Sequence, residues 1–218
     1  MPPAVTDFNW AAGSVASWNY DTHRTAEATW SFDAQNLYVC FRHVTDATPM
    51  VNGGKIARQL FKTGDAAVCE LRTVAGNDAA AVGEGDLRLL FSVFEGKPVV
   101  VLYRYKVAGT VKPEEFASPV TTTRIDVVKI LDTAKLAIDR QPGEYSVRAV
   151  VPLAELGFKP EPGQHYRGDF GVIHSDAKGV ANELRMYWAN QATGLVSDLA
   201  LEAAIEPARW GNFAISAK

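Results

Sequence analysis

Trp30-Ser-Phe-Asp-Ala-Gln-Asn-Leu-Tyr-Val-Cys-Phe-Arg-His-Val-Thr-Asp-Ala-Thr-Pro49 reads as two β-rich apolar runs meeting across Asp33-Ala-Gln-Asn36, a polar connection of hairpin length. The second run, Leu37–Val44, is apolar at nearly every position and is broken only by Arg42 and His43. A strand with both faces buried has this appearance. The run stops at Thr45-Asp46-Ala-Thr-Pro49, where Asp favours a turn and Pro cannot donate to a sheet ladder.

Strand signals of the same kind fill the chain on either side of this hairpin. They cover Glu27–Phe32, Ala66–Val74, Leu87–Phe94, Pro98–Val107, Thr121–Leu131, Lys135–Asp139, Glu144–Val151, Gly168–His174, Glu183–Asn190 and Trp210–Ile215, with turn residues between them. Glu144–Val151 alternates strictly, with Tyr145, Val147, Ala149 and Val151 on one face. Helical signals are confined to a short turn over Ile56–Phe61 and a single turn at Pro152–Gly157, which starts on Pro and ends on Gly. The irregular opening, Asp7 to Tyr20, is expected to wrap an edge of the core, and Lys112–Pro119 is expected to be a polar excursion. The pattern predicts an all-β fold: one antiparallel β-sandwich of jelly-roll type with about ten strands and very little helix. A single domain over residues 1–218, with its core over about 13–213, follows from the lack of a repeat, linker or low-complexity segment.

Composition narrows the function classes. Hydrophobic residues make up 47% of the 218 and charged ones 22%, enough apolar side chain for a packed core. A net charge of −3 argues against a nucleic-acid partner. No apolar run approaches the ~20 residues that span a bilayer, so no membrane partner is expected. The start, Met-Pro-Pro-Ala-Val, has no basic segment followed by an apolar stretch, so no signal peptide is read; the chain is either cytoplasmic or a mature segment of a longer exported protein. Cys40 and Cys69 fall inside predicted strands with no zinc spacing, which favours two buried thiols over a disulfide.

Residues that could carry chemistry are scattered. No Gly-x-Ser-x-Gly elbow occurs, and His23, His43, His165 and His174 lack the spacing of a zinc site. His43 and His174 sit at strand ends, where a hydrogen-bonded structural pair is the simpler reading. Asp65, Glu70, Asp169, Asp176, Asp198 and Glu202 are the acids near strand ends, able to solvate turns or to supply oxygen ligands for calcium. Of five tryptophans, Trp30, Trp188 and Trp210 have strand contexts and read as core, while Trp10 and Trp18 are open either way. Phe61, Tyr166, Tyr187 and Tyr103 or Tyr105 are the aromatics expected to be exposed.

Several motifs, in order, resemble family 9 carbohydrate-binding modules, which are related to DOMON domains. They are Asp33-Ala-Gln-Asn-Leu-Tyr-Val-Cys-Phe-Arg42 with Asp46, Gly64-Asp65 before a strand, Val151-Pro-Leu-Ala-Glu-Leu-Gly157, Asp169-Phe-Gly-Val-Ile-His-Ser-Asp176 with Gly179, Tyr187-Trp188, and Trp210-Gly-Asn-Phe213. The resemblance covers roughly Gly13 to Phe213. It implies a β-sandwich that binds a plant- or algal-type polysaccharide or oligosaccharide without chemistry of its own. It further implies bacterial origin, secreted or periplasmic location, and attachment to a catalytic domain on the same polypeptide. Bound calcium is implied as well, with Asp46, Asp65 and Asp176 as its candidate ligands. In the family two aromatic side chains clamp the sugar. Phe61, ahead of Lys62-Thr-Gly-Asp65, matches the first, but Val196 stands at the second and supplies no aromatic face. The expected carbohydrate contacts are therefore Phe61 and Tyr187 by stacking, and Arg185, Asn190 and Asp198 by hydrogen bonds.

Three other readings remain. A haem-binding or redox domain of the DOMON type would draw axial ligands from Met50, Met186, His43 and His174. A hydrolase or lyase would combine loop acids with His165 or His174. A supporting domain of a polysaccharide-degrading enzyme would have no ligand of its own.

Overall fold

The computed structural model describes residues 15–110, 112–194 and 197–215; Trp10, Leu195 and Val196 fall outside them. Two antiparallel sheets stack face to face. The first has the order β1-β2-β3-β11-β10, from β1 (Ala16–Asn19), β2 (Thr25–Phe32), β3 (Asn36–Thr45), β10 (Lys135–Gln141) and β11 (Glu144–Pro152). The second has the order β13-β12-β4-β5-β6-β9, from β4 (Ala66–Arg72), β5 (Asp86–Phe94), β6 (Lys97–Arg104), β9 (Val127–Ile130), β12 (His165–Ser175) and β13 (Asn182–Tyr187). The last strand, β14 (Gly211–Ala214), pairs with the first part of β12. A small hairpin, β7 (Glu114–Ala117) and β8 (Thr122–Ile125), stands apart from both sheets. The helices are α1 (Leu153–Leu156), α2 (Leu199–Ala203) and two 3-10 turns, Ala57–Lys62 and Pro207–Arg209.

The hairpin at Asp33–Asn36 forms as its sequence predicts. β2 and β3 pair from Glu27↔Arg42 to Phe32↔Leu37. The Asp33 carboxylate fixes the turn by accepting from the backbone N–H of Gln35 and Asn36 (both 2.7 Å) and from the Tyr38 hydroxyl (2.6 Å). Every residue of β3 from Asn36 to Phe41 is buried. Central placement explains this, since β3 lies between β2 and β11.

Alternation sorts the second sheet into two unlike faces. Ala67, Cys69 and Leu71 of β4, Leu87, Leu89 and Phe91 of β5, Val100 and Leu102 of β6, and Phe170 and Val172 of β12 belong to the inter-sheet core, together with Phe41, Val147 and Val151 of the first sheet. The intervening positions point the other way, and they too are buried. The reason is an outer layer made of the 57–62 turn, β7–β8, α2 and Trp210, which packs Phe61, Phe116 and Ala203 onto Val68, Leu90, Val101 and Tyr187. The chain therefore has three layers where its middle sheet lies.

The outer layer accounts for the differences from expectation. More strands form than about ten, because the polar excursion contributes β7, the opening contributes β1, and Thr121–Leu131 divides into β8 and β9 at Asp126. The Asp126 carboxylate accepts from the Val107 backbone N–H. α2 has no periodic apolar signal behind it. It starts where Asp198 accepts from the Leu201 N–H (2.8 Å), an N-cap bond that satisfies an otherwise orphaned donor. Cys40 and Cys69 are both free and buried, as expected.

Candidate functional site

The outward positions of β4, β5, β12 and β13 carry Glu70, Arg72, Asp86, Arg88, Asp169, Arg185 and Tyr187. Registry sets Glu70 opposite Arg88, Arg72 opposite Asp86, and Asp169 opposite Glu70 on its other side. Glu70 accepts from Arg88 Nε at 3.0 Å and from Trp210 Nε1 at 2.8 Å. The Arg88 guanidinium lies 5.9 Å from the centre of the Phe61 ring and donates to the backbone oxygens of Glu202 (3.1 Å) and Ala204 (2.7 Å). The Tyr105 hydroxyl donates to Ala203 O at 2.7 Å, and Arg185 Nη2 donates to Phe61 O at 3.1 Å. Burial pushes the Tyr187 hydroxyl up to about 12. It also lowers the Arg185 guanidinium from its usual value.

This surface brings together three of the five residues expected to hold a sugar, and it closes over them. Phe61 has 0% of its surface exposed, Tyr187 5% and Arg185 7%, so the expected stacking face of Phe61 is turned onto Tyr103 and Phe116. Asn190 is buried too, its backbone N–H donating to Asp169 and its amide to Glu206. Asp198 remains partly exposed and caps α2. Tyr103, Tyr105 and Tyr166 are buried as well. For Phe61, Tyr103, Tyr105 and Tyr187 the reason is that a position facing away from the core can be covered by a further layer, whereas Tyr166 lies in the inter-sheet core itself. Val196 lies outside the described residues.

Asp46 and Asp65 lie near enough to interact, but the three expected calcium ligands do not converge on one point. Asp46 accepts from Thr48 N and faces Nδ1 of His174 at 3.0 Å. Both oxygens of Asp65 accept from protein donors, Val51 N at 2.6 Å and Ser175 N and Oγ at 2.7 and 2.8 Å. Burial, reinforced by Asp46, pushes the Asp65 carboxyl up to about 6 against those bonds. Asp176 is partly exposed on its own turn, accepting from Val180 and Ala181 N–H. Among the described residues no group of three or more His, Cys, Asp or Glu converges as a metal site. These carboxylates act as turn and loop fasteners.

The residues expected to serve haem or hydrolysis hold structural places. Met50 and Met186 are in the inter-sheet core, His43 is exposed beside Glu144, and His174 is buried against Asp46. His165 is exposed and pairs with Ala214 at the start of β12.

An open groove of about 1590 Å³ lies at one end of the space between the sheets. Trp30 and Phe32 enter it from the end of β2, Trp188 from the residue after β13, Phe213 from β14 and Phe158 from the loop after α1, with Phe170 at its floor. Ring centres are 4.3 Å apart for Trp30 and Phe213, 5.3 Å for Trp188 and Phe213, and 5.8 Å for Trp30 and Phe170. Trp30, Phe32, Trp188 and Phe213 are half-buried, each keeping part of its ring open, while Asp33, Gln35, Lys159 and Asn212 stand exposed at the rim. Burial opposes ionisation of Asp33, but its bonds from Tyr38, Gln35 and Asn36 hold its carboxyl below the usual range, so it stays an acceptor. Gly211 makes the Trp188 position possible: a Cβ there would fall 2.3 Å from the indole. An apolar cleft with a few fixed polar groups is the usual form of a small-ligand site. Trp30 and Trp188 read as core in the sequence. The available signal was position, since both stand where a strand gives way to polar residues.

Two solved structures share this architecture. One is a family 9 carbohydrate-binding module from Caldicellulosiruptor kristjanssonii in complex with cellotriose, 14% identical, with a TM-score of 0.55 over 96% of this chain and 85% of that chain. The other is a family 9 module from the same organism in complex with glucose, 13% identical, with a TM-score of 0.51 over 96% and 87%. The fold is that of family 9 carbohydrate-binding modules. No protein-family model and no curated protein matches the sequence. The family 9 fold is carried here by the two stacked sheets. The first of the two clamp positions implied by sequence resemblance, Phe61, is overlaid by α2 and β7–β8.

Proposed function

We propose that the chain is a non-catalytic carbohydrate-binding module and that it holds its glycan in the groove of Trp30, Trp188 and Phe213. The observation that carries this reading is the conjunction of partly open aromatic rings with an exposed polar rim. A pyranose has apolar C–H faces and an equator of hydroxyls. Rings beside the cleft meet the faces, while Asp33, Gln35 and Asn212 meet the hydroxyls as acceptors and donors. The likeness to modules holding cellotriose and glucose supports a carbohydrate ligand; a polysaccharide or oligosaccharide of plant or algal type is the ligand we propose. No catalytic pair opens onto the groove: Asp33 is its sole lining acid among the described residues. Such a module would serve a polysaccharide-degrading enzyme on the same polypeptide, outside the cell or in the periplasm.

Titration calorimetry against cellotriose and a panel of β-glucan and algal oligosaccharides tests this. Trp188→Ala is expected to weaken binding at least tenfold, about 1.4 kcal/mol, with its circular dichroism unchanged. Unaltered affinity in that variant would remove the groove from the site. Silence across the whole panel would remove the function.

A further inference from the structure

The segment 197–206, which crosses the outer face of the middle sheet, is bound there in an unusual way. Its apolar hold is slight: α2 buries the methyls of Ala200 and Ala203 and part of Leu199, with Ile205 beyond them. Five residues are too few for a helix to persist by itself. What holds the segment is polar: the buried Glu202 carboxylate, which accepts from Lys62 Nζ (3.2 Å) and Asn182 Nδ2 (3.3 Å), and a row of backbone oxygens. Ala200 O accepts from the Thr123 hydroxyl (2.7 Å), Ala203 O from Tyr105, and Glu202 O and Ala204 O from Arg88.

The wall beneath is built of donors and aromatic rings: Arg88, Arg185, Tyr105, Tyr187 and Trp210, all buried. Arg185 is poorly served by the segment above it. Its Nε has no partner, its bonds to Glu202 O are 3.4 and 3.5 Å, and the Glu202 carboxylate is 3.7 Å away. A guanidinium buried with unfilled donors is costly, and the cost falls when further oxygens reach it. A polyol could replace the carbonyl oxygens one for one and add the acceptor that Arg185 lacks.

We propose that residues 197–206 form a displaceable strap whose carbonyls stand in for ligand hydroxyls, and that an oligosaccharide opens it by taking over Arg88, Arg185 and Tyr105. The inference rests on the reading that the chain binds carbohydrate, and it places a second, covered surface behind the groove. Wall and strap then exchange one set of oxygens for another, so opening leaves the buried donors of the wall paired, while the partly exposed Lys62, Thr123 and Asn182 turn to water.

Hydrogen exchange of the 199–206 amides, read with and without saturating cellotriose, is the direct test. Thr123→Val and Asp198→Ala each loosen the strap without touching the wall. Bound cellotriose is expected to raise exchange at Leu201, Glu202 and Ala204. Both variants are expected to bind at least threefold tighter than the native chain, and adding Arg185→Met is expected to cancel that gain. Trp210 should become open to iodide quenching in step. Unchanged or reduced exchange with sugar bound, or variants no tighter than native, overturns the strap. If Trp188→Ala abolishes binding while the strap stays still, the strap fails and the groove stands. If Trp188→Ala binds normally and the loosened variants gain affinity, the groove fails and the strap stands. Absence of binding by native and loosened chains alike overturns both.

Discussion

Arg72 has no exposed surface, yet its guanidinium meets acceptors from four residues. It forms a two-pronged pair with Asp86 (2.6 and 2.8 Å) and donates to the backbone oxygens of Asn77, Ala79 and Ala81, so one side chain gathers the whole 77–83 loop. Removing one partner of a buried pair strands the other charge. Arg72→Ala is therefore expected to lose about 3–5 kcal/mol in urea unfolding, far more than an exposed pair such as Arg124–Glu115, worth ~0–1 kcal/mol. Asp169 governs a different property. Burial, with help from Glu70, pushes its carboxyl up to about 7 against the N–H bonds from Ala189, Asn190 and Phe170. Between the ordinary value of 3.8 and about 7 the folded chain keeps a proton that the unfolded chain has released. Its contribution to stability is thus whole below 3.8 and is lost as pH rises through about 7, at a slope of at most about 1.4 kcal/mol per pH unit. Urea midpoints measured from pH 4.5 to 8 should fall with pH in the native chain and fall less in Asp169→Asn; parallel slopes would refute this.

Elements differ in how plainly the sequence announces them. The β2–β3 hairpin was legible because two signals agree there: an unbroken apolar run and an Asp that can serve the turn's own N–H groups. α1 was legible for a similar reason, as Gly157 takes a positive φ of 61° at its end. α2 was not, because a five-residue helix of Leu, Ala and Glu has no period to detect and its placement depends on donors from β5, β8, β13 and Tyr105, far off in the chain. The proposed groove was not legible as a set of residues, and the expected sugar contacts were legible as neighbours but not as buried. Sequence resemblance pointed to the outer face, where Phe61, Tyr187 and Arg185 do meet; the added layer that hides them is a tertiary fact. The groove draws on β2, β14, the end of β13 and the loop after α1, and no local pattern links these. β14 supplies a test at this scale. Gly211→Ala pushes on the Trp188 indole, whose atoms lie closer than any Cβ contact tolerates. That variant should weaken glycan binding severalfold by calorimetry, and retained affinity would show that the Trp188 ring has room to shift.

For the whole molecule, the decisive feature is that its middle sheet is enclosed on both faces. The sandwich interior accounts for one face and the polar–aromatic layer for the other, and the indole–carboxylate bond between Trp210 and Glu70 ties residues 140 positions apart. With that covering in place, the sandwich's open end is where the groove's aromatic rings stay partly accessible. That placement has a kinetic side. Trp30, Phe158, Trp188 and Phe213 come from parts of the chain that meet only after both sheets have docked, so the groove is completed late in folding. A glycan seated there would grip a structure absent from the rate-limiting barrier. It should slow unfolding in proportion to its occupancy and leave the refolding rate untouched, a signature that stopped-flow traces with and without cellotriose would display as movement of one chevron arm alone.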